Sequence, residues 1–277
     1  MARAWTKEEK EKFRKNLHQL YVVENFTMYE IAEKLGIAAP TVYKRLKQLN
    51  FPSLRHLKKG YNNSSRQVRL PRHDTRDLAE FFGIMMGDGH INPNQVIVTL
   101  GTKELDYVNY VSNLMEKIFY TKPSIFTRPS PVKNNKYRNV YFGSVVAVKW
   151  LREKGLVQNK VKSQVDIPQW IFSKNTFMRA FTRGFFDTDG SIYKLKFGIQ
   201  ISFTNHSLPL LKSLHRLLIK LGYSPSRISG NKRIYITRVQ DVKKFFREIQ
   251  PQNSKHQERF IDFTTRVGTQ AVNESRL

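Results

Sequence analysis

The chain has 277 residues, 40% of them hydrophobic, and sets 48 Lys and Arg against 22 Asp and Glu, a formal net charge of +26. That apolar share builds a real core and excludes wholesale disorder, while so large an uncompensated charge repels itself unless a polyanion is the normal partner. Nucleic acid fits better than a membrane surface, because no long basic amphipathic helix is evident. The absence of cysteine removes disulfides and thiolate metal sites. No apolar run approaches a membrane span and no apolar leader follows Met1, so the chain reads as intracellular, cytoplasmic or nucleoid-associated, without a membrane partner.

In chain order, Phe13, Leu17, Leu20 and Tyr21 recur at spacings of three and four, which predicts a helix between Trp5 and Glu24. Thr6 followed by Glu9 reads as a capping box at its start. Residues 27–49, TMYEIAEKLGIAAPTVYKRLKQL, carry the spacing of a helix-turn-helix. Ala32 is small where two helices cross, Gly36 supplies the turn, and Val42 and Leu46 face inward. Thr41, Lys44, Arg45 and Lys47 then point outward, a set suited to the major groove and its phosphates. A plain three-helix bundle with a solvated basic face is the bland alternative. Residues 1–51 are assigned to this domain. Residues 52–73 are a polar, basic linker, which would act as a tether along DNA or as ordinary flexible chain.

The remainder says one thing twice, at 74–172 and at 173–277. DTRDLAEFFGIMMGDG and TFMRAFTRGFFDTDG are apolar helices ending in an acid and a glycine. Each is followed by an alternating strand (QVIVTLGT, GIQISFTN), an amphipathic helix, a basic stretch, a further strand (NVYFGS, RIYITR) and a short helix. Each copy then reaches a lysine, in QNK at 158–160 and NSK at 253–255. Such a duplication is expected to pack about a pseudo-two-fold axis. Glycine inside a helix costs about 1 kcal/mol relative to alanine, so Gly83 and Gly184 predict a close helix–helix contact, with the small Gly87 and Thr188 one turn on. Gly89 and Gly190 are expected to end the helices as left-handed caps. Asp88 and Asp189 would then meet, and paired carboxylates destabilise each other unless a cation lies between them. Hard oxygen ligands with few protein contacts favour Mg²⁺.

At FFGIMMGDG and TRGFFDTDG the chain resembles the LAGLIDADG homing endonucleases of the single-chain, two-repeat kind, from about residue 74 to about residue 265. The resemblance implies an α+β fold of two αββαββα units with saddle-shaped antiparallel sheets, preceded here by the small all-α domain. It implies a monomer acting as a pseudo-dimer on double-stranded DNA, hydrolysing both strands at a long specific site. Asp88 and Asp189 would hold divalent ions, with Gly87 and Thr188 in the same metal set, and Lys160 and Lys255 would assist catalysis. Mg²⁺ is the expected ion; Mn²⁺ would substitute, and Ca²⁺ would bind without supporting cleavage.

There are departures. Met86 stands where the second copy has Asp187, an acid read as structural, and His90 stands opposite Ser191. Gln200 and Asn205 could orient a water or base in the second half, where the first half has Ile97 and Thr102, and neither is read as catalytic. The expected DNA contacts on strand faces are Asn94, Gln95, Arg128, Lys133, Lys136, Arg138 and Tyr141 in the first half. In the second they are Tyr193, Lys194, Lys196, Gln200, Arg227, Asn231, Lys232, Arg233 and Tyr235. DTDGS also opens the motif of haloacid-dehalogenase-like enzymes, but the segment before it reads as helix rather than buried strand. An EF-hand loop fails because Gly198 stands where the chelating Glu belongs. The alternative on the same scaffold is a non-cleaving DNA-binding transcription regulator or an RNA maturase. With no cysteine and no splicing domain evident, intein splicing is not expected. The retained Asp88, Asp189, Lys160 and Lys255 favour a working nuclease.

Overall fold

Two apolar helices with glycine at their centres organise the larger part of the chain. In the computed structural model, which describes residues 6–24, 26, 28–51, 68–129 and 136–274, they are α4 (Arg76–Met86) and α7 (Asn175–Asp189). The chain forms two compact units, residues 1–61 and 62–277. Most of the expected linker (52–67) and Lys133 lie outside the described residues.

In the first unit, α1 (Lys7–His18) begins at the expected capping box: Thr6 Oγ1 accepts from Glu9 N at 3.2 Å and Glu9 Oε2 accepts from Thr6 N at 2.8 Å. It continues through a π-helical turn, Gln19–Val23. Helices α2 (Met28–Leu35) and α3 (Ala39–Gln48) follow, joined through Gly36 at φ +62°, a conformation open to glycine without strain. Leu17, Leu20, Ile31, Ala32, Val42 and Leu46 form its core. Thr41, Lys44 and Lys47 are exposed on α3, and Arg45 is half-buried with a guanidinium hydrogen bond to Gln48.

The second unit is α+β, and its order of elements occurs twice. After α4 come β1 (Gly89–Ile91), β2 (Gln95–Gly101), α5 (Leu105–Phe119), β3 (Ser124–Pro129), β4 (Lys136–Gly143) and α6 (Val145–Glu153). After α7 come β5 (Gly190–Leu195), β6 (Gly198–Thr204), α8 (Leu208–Lys220), β7 (Arg233–Ile236), α9 (Val239–Ile249) and α10 (Ser254–Glu274). The first sheet is antiparallel in the order β1-β2-β4-β3, and the second is β5-β6-β7. The counterpart of β3 is reduced, among the described residues, to a Ser229–Arg233 bridge and to Ser226, whose N–H donates to Tyr235 O at 2.8 Å. Pro225 lacks a ladder N–H, and the Ser226 hydroxyl stands in for a backbone carbonyl by accepting from Tyr235 N at 3.0 Å.

Helices α4 and α7 cross at their glycines. A Cβ at Gly83 would fall on the Phe181 carbonyl, and one at Gly184 on the Glu80 carbonyl. Gly87 in turn meets Thr188, so contacts advance together along both helices and the two run parallel. Their C-terminal ends are thereby side by side. The interface also buries an ion pair: Arg183 donates to Glu80, with side chains 7% and 1% exposed, and the Tyr110 hydroxyl donates to the same carboxylate.

Removing one member of a buried ion pair leaves the other uncompensated. Arg183→Met is therefore expected to lose about 3–5 kcal/mol of unfolding free energy. Glu80→Gln combined with Arg183→Met, which leaves no charge in the interface, should regain most of it. Urea unfolding of the three proteins checks this; a single variant as stable as the parent would show that the pair contributes nothing.

Candidate active site at the ends of the paired helices

Each helix delivers one acid to the same place. Gly87 caps α4 at φ −83°, ψ −97°, and Asp88 follows it; Asp189 is the last residue of α7. The glycines after them are not left-handed as expected. Gly190 is extended at φ −88°, ψ 159°, and Gly89 lies in β1 without a positive φ. Close approach is the physical reason for glycine here: a Cβ at Gly89 would meet Met85 Cα and Sδ at 2.5 Å, and one at Gly190 would run into Phe186.

The two carboxylates feel each other. Asp189 is half-buried; burial above all, with the neighbouring Asp88 charge adding, raises its pKa to about 6 against the opposing Asn205 hydrogen bond and Lys160 charge. Asp88 keeps more solvent access, yet crowding of its carboxylate by protein raises its pKa too, against the charges of Lys255 and Lys160. Asn205 Nδ2 donates to Asp189 Oδ2 at 2.9 Å, which gives that residue a concrete place in the site.

The lysines are crossed. Lys160, from the first half, feels Asp189 more strongly than Asp88, whereas Lys255, from the second, is the strongest charge on Asp88. The Lys160 ammonium donates to the carbonyls of Met85 at 3.1 Å, Met86 at 3.2 Å and Gly87, at the negative end of the α4 dipole. Its burial lowers its pKa, with Asp189 and Asp88 opposing. The Lys255 ammonium instead reaches Glu104 Oε1 at 2.5 Å. Sequence reasoning missed Glu104. It lies outside both motifs, at the N-cap of α5, and only the tertiary contact reveals it.

Pairing register sorts the expected DNA contacts. Consecutive strand residues point to opposite faces. In the first sheet Gln95, Arg128 and Tyr141 share the face turned from the core with His90, Thr99, Phe126, Tyr137 and Asn139. Lys136 and Arg138 fall on the other side with Val140 and Phe142, and Arg138 Nη1 is spent on the Thr102 carbonyl at 2.8 Å. In the second sheet Tyr193, Gln200, Arg233 and Tyr235 share the open face, while Lys194 has the parity of the buried Ile192. Asn94, Lys196, Arg227, Asn231 and Lys232 lie in the loops that join the strands. Phe126, exposed and with Arg128 packed 5.5 Å from its ring, and Asn139, hydrogen-bonded to Thr99, were missed; the strand alternation already contained both.

Residues 176–250 match the family described as LAGLIDADG-like domain. A replication factor C small subunit of Methanocaldococcus jannaschii is 28% identical over 161 residues; the match covers 57% of this chain and spans only 8% of that protein's length. Among solved structures, I-DmoI in complex with DNA and Ca is similar over 63% of this chain and 88% of its own, at 15% identity and TM-score 0.45. The N-terminal LAGLIDADG domain of DUF199/WhiA is similar over 64% and 83%, at 16% identity and TM-score 0.45.

Within the matched segment the earlier acid, Asp187, is structural in its contacts. It is fully buried, and its carboxylate accepts from Gln252 N at 2.9 Å and Asn253 N at 3.2 Å, tying α7 to the turn before α10. Burial, against these backbone hydrogen bonds, raises its pKa to about 8. The matching Met86 is a core residue. His90 has its pKa lowered by burial and then by the Lys160 charge. His256 is buried against Phe186, and burial with the Lys255 charge lowers its pKa to about 3. Thr188 Oγ1 donates to the carbonyls of Gly184 and Phe185, both at 3.1 Å, while pressing on Gly87. Among the described residues no three His, Cys, Asp or Glu cluster as a closed cage. Asp88 and Asp189 bring two carboxylates together beside the Gly87 carbonyl, which accepts from Lys160, and leave an open, all-oxygen pair. That set suits a hard divalent ion that keeps water ligands.

The raised pKa of Asp189 has a sign that can be tested. A carboxyl whose folded value (about 6) exceeds its ordinary value of 3.8 binds its proton more tightly when folded. Its contribution to stability is then present below about pH 4 and is lost as pH rises towards 6. In EDTA, Asp189→Asn should therefore gain stability relative to the parent between pH 4 and pH 6. Chemical unfolding at a series of pH values checks this; parallel profiles would refute it.

Proposed function

We propose that the chain is a site-specific double-strand DNA endonuclease that uses divalent ions at the ends of α4 and α7. The observation that carries this reading is the juxtaposition of Asp88 and Asp189, each carboxylate under the charge of a lysine from the opposite half. Two near-equivalent acids on one interface suit two antiparallel strands, and the net charge of +26 suits a polyanion. When bound, Mg²⁺ would activate water and neutralise the leaving oxygen.

The chain's own groups have separable tasks. Asp88 and Asp189 would hold the ions, with Gly87 and Thr188 beside them, and Asn205 fixes the Asp189 carboxylate by its 2.9 Å hydrogen bond. Lys160 and Lys255 bring positive charge to where phosphate charge grows. The open sheet faces, with Gln95, Arg128, Tyr141, Gln200, Arg233 and Tyr235, would read a long duplex. Helix α3, presenting Thr41, Lys44 and Lys47, would act as the recognition helix of a helix-turn-helix and raise affinity by linked binding. The protein would work as a monomer whose two repeats form a pseudo-dimer.

The test is cleavage of a randomised duplex library with Mg²⁺, followed by sequencing of the new ends. Recurrent ends at one long sequence are expected, abolished by EDTA, Asp88→Asn and Asp189→Asn. Lys160→Met and Lys255→Met should slow cutting by about 10²–10³-fold, the scale of a lost charge-stabilising donor. A discrete sequence that is retained but never cut would identify a non-cleaving DNA-binding regulator instead.

A further inference from the structure

Resting on the endonuclease reading, we propose that Glu104 is a positioning residue for Lys255, and that it makes the two half-sites unequal, so that the Asp88 half-site alone depends on it. Glu104 Oε1 accepts from Lys255 Nζ at 2.5 Å and from Asn253 Nδ2 at 3.1 Å. Its Oε2 accepts from Gly101 N at 3.0 Å, which anchors the side chain to the end of β2. Asn253 in turn donates to Asp187 through its backbone N–H and its amide, at 3.2 and 3.1 Å. A continuous hydrogen-bonded path thus runs from β2 of the first half, through Glu104, to α7 and the start of α10 in the second.

The other half is built differently. Ser207, at the N-cap of α8 where the first half has Glu104, carries no charge. Its hydroxyl donates to Val165 O at 2.5 Å, and its N–H donates to Asn205 Oδ1 at 2.9 Å, which helps aim the Asn205 amide at Asp189. Lys160 is held by backbone carbonyls at the end of α4 rather than by a side chain. One half-site is therefore carboxylate, ammonium and carboxylate (Asp88, Lys255, Glu104). Its partner is carboxylate, amide and ammonium (Asp189, Asn205, Lys160).

Lys255 is 36% exposed at its side chain, and a long ammonium stem with that freedom samples many rotamers unless a partner holds it. Glu104 supplies the hold. Burial pushes its pKa up, but the hydrogen bonds from Lys255 and Asn253, with the Lys255 charge, bring it below the usual carboxylate value.

The experiment uses the full chain with two substrates carrying the duplex recovered by library cleavage: a linear fragment with each strand end-labelled in turn, and a supercoiled plasmid that reports nicked intermediate. Single-turnover rates are measured separately for the two strands. Glu104→Gln is expected to slow one strand by about 10–100-fold, the range for loss of a partner that orients a catalytic ligand. The other strand should be nearly unchanged, so nicked plasmid accumulates, while binding in Ca²⁺ is unaltered. Glu104→Asp, which keeps the charge, should recover part of the lost rate. Adding Glu104→Gln to Lys255→Met should slow cutting no further than Lys255→Met alone. Equal slowing of both strands, no slowing, or additive loss in the double variant would overturn the assignment while leaving the endonuclease reading intact. If Glu104→Gln fails to fold, the strand bias of Glu104→Asp and Lys255→Met decides, and absence of bias overturns it. A parent protein that cuts neither strand would sink both readings together.

Discussion

The close crossing of α4 and α7 is the contact on which the rest depends. Glycine at both crossing points lets backbone meet backbone, and no larger residue can be placed there without moving the Phe181 or Glu80 carbonyl. Because the helices run parallel and in step, that contact determines where both chains emerge. It brings Asp88 and Asp189 to one spot and starts β1 and β5 from adjacent points. Phe81, Phe82, Phe185 and Phe186, all fully buried, surround the crossing. Each stabilises by about 1.5–3 kcal/mol on burial, enough to offset the loss of helix propensity at two glycines.

This geometry creates an electrostatic problem at the helix ends. Two carboxylates in partial burial repel, and the C-terminal end of α4 adds the negative pole of its dipole. The structure answers with cations from the opposite halves. Lys160 sits on the α4 terminus of its own half and brings its charge to Asp189, and Lys255 brings its charge to Asp88. Each half thus supplies one acid and the lysine whose charge falls on the other acid.

What was legible in the sequence was whatever repeats or is governed by local chemistry. The glycine and acid positions at the two motifs, the Thr6–Glu9 box and the turn at Gly36 all follow from residue type and spacing. The features that were not legible depend on partners far along the chain. Gly89 and Gly190 looked like left-handed caps because that is the common reason for glycine after a helix; the actual reason is contact with Met85 and Phe186. Lys136, Arg138 and Lys194 looked like groove contacts because composition does not say which face of a strand a residue occupies. The pairing register places all three opposite the open face. Glu104 was invisible for the same cause: its partner lies in the other half, and Ser207 at the matching position gave no echo of it.

The helix interface carries a further consequence of joining the halves in one chain. Glu80 and Arg183 have Phe181 and Phe82 at the positions matching them in the opposite repeat. The ion pair therefore exists only when α4 meets α7. Were two copies of the first half to pair through α4, each would bury a Glu80 carboxylate without a guanidinium, and two copies of the second would bury Arg183 without a carboxylate. Each is a heavily penalised state. A strictly symmetric dimer could use such a pair only by carrying both residues on each helix and forming it twice. Joining the repeats permits charge complementarity at the crossing and, by the same freedom, a charged partner for Lys255 with none of its kind for Lys160. The pseudo-symmetry that unites the two acids and the asymmetry that distinguishes their surroundings thus go together, in a fold whose two halves repeat one order of elements without having to be alike.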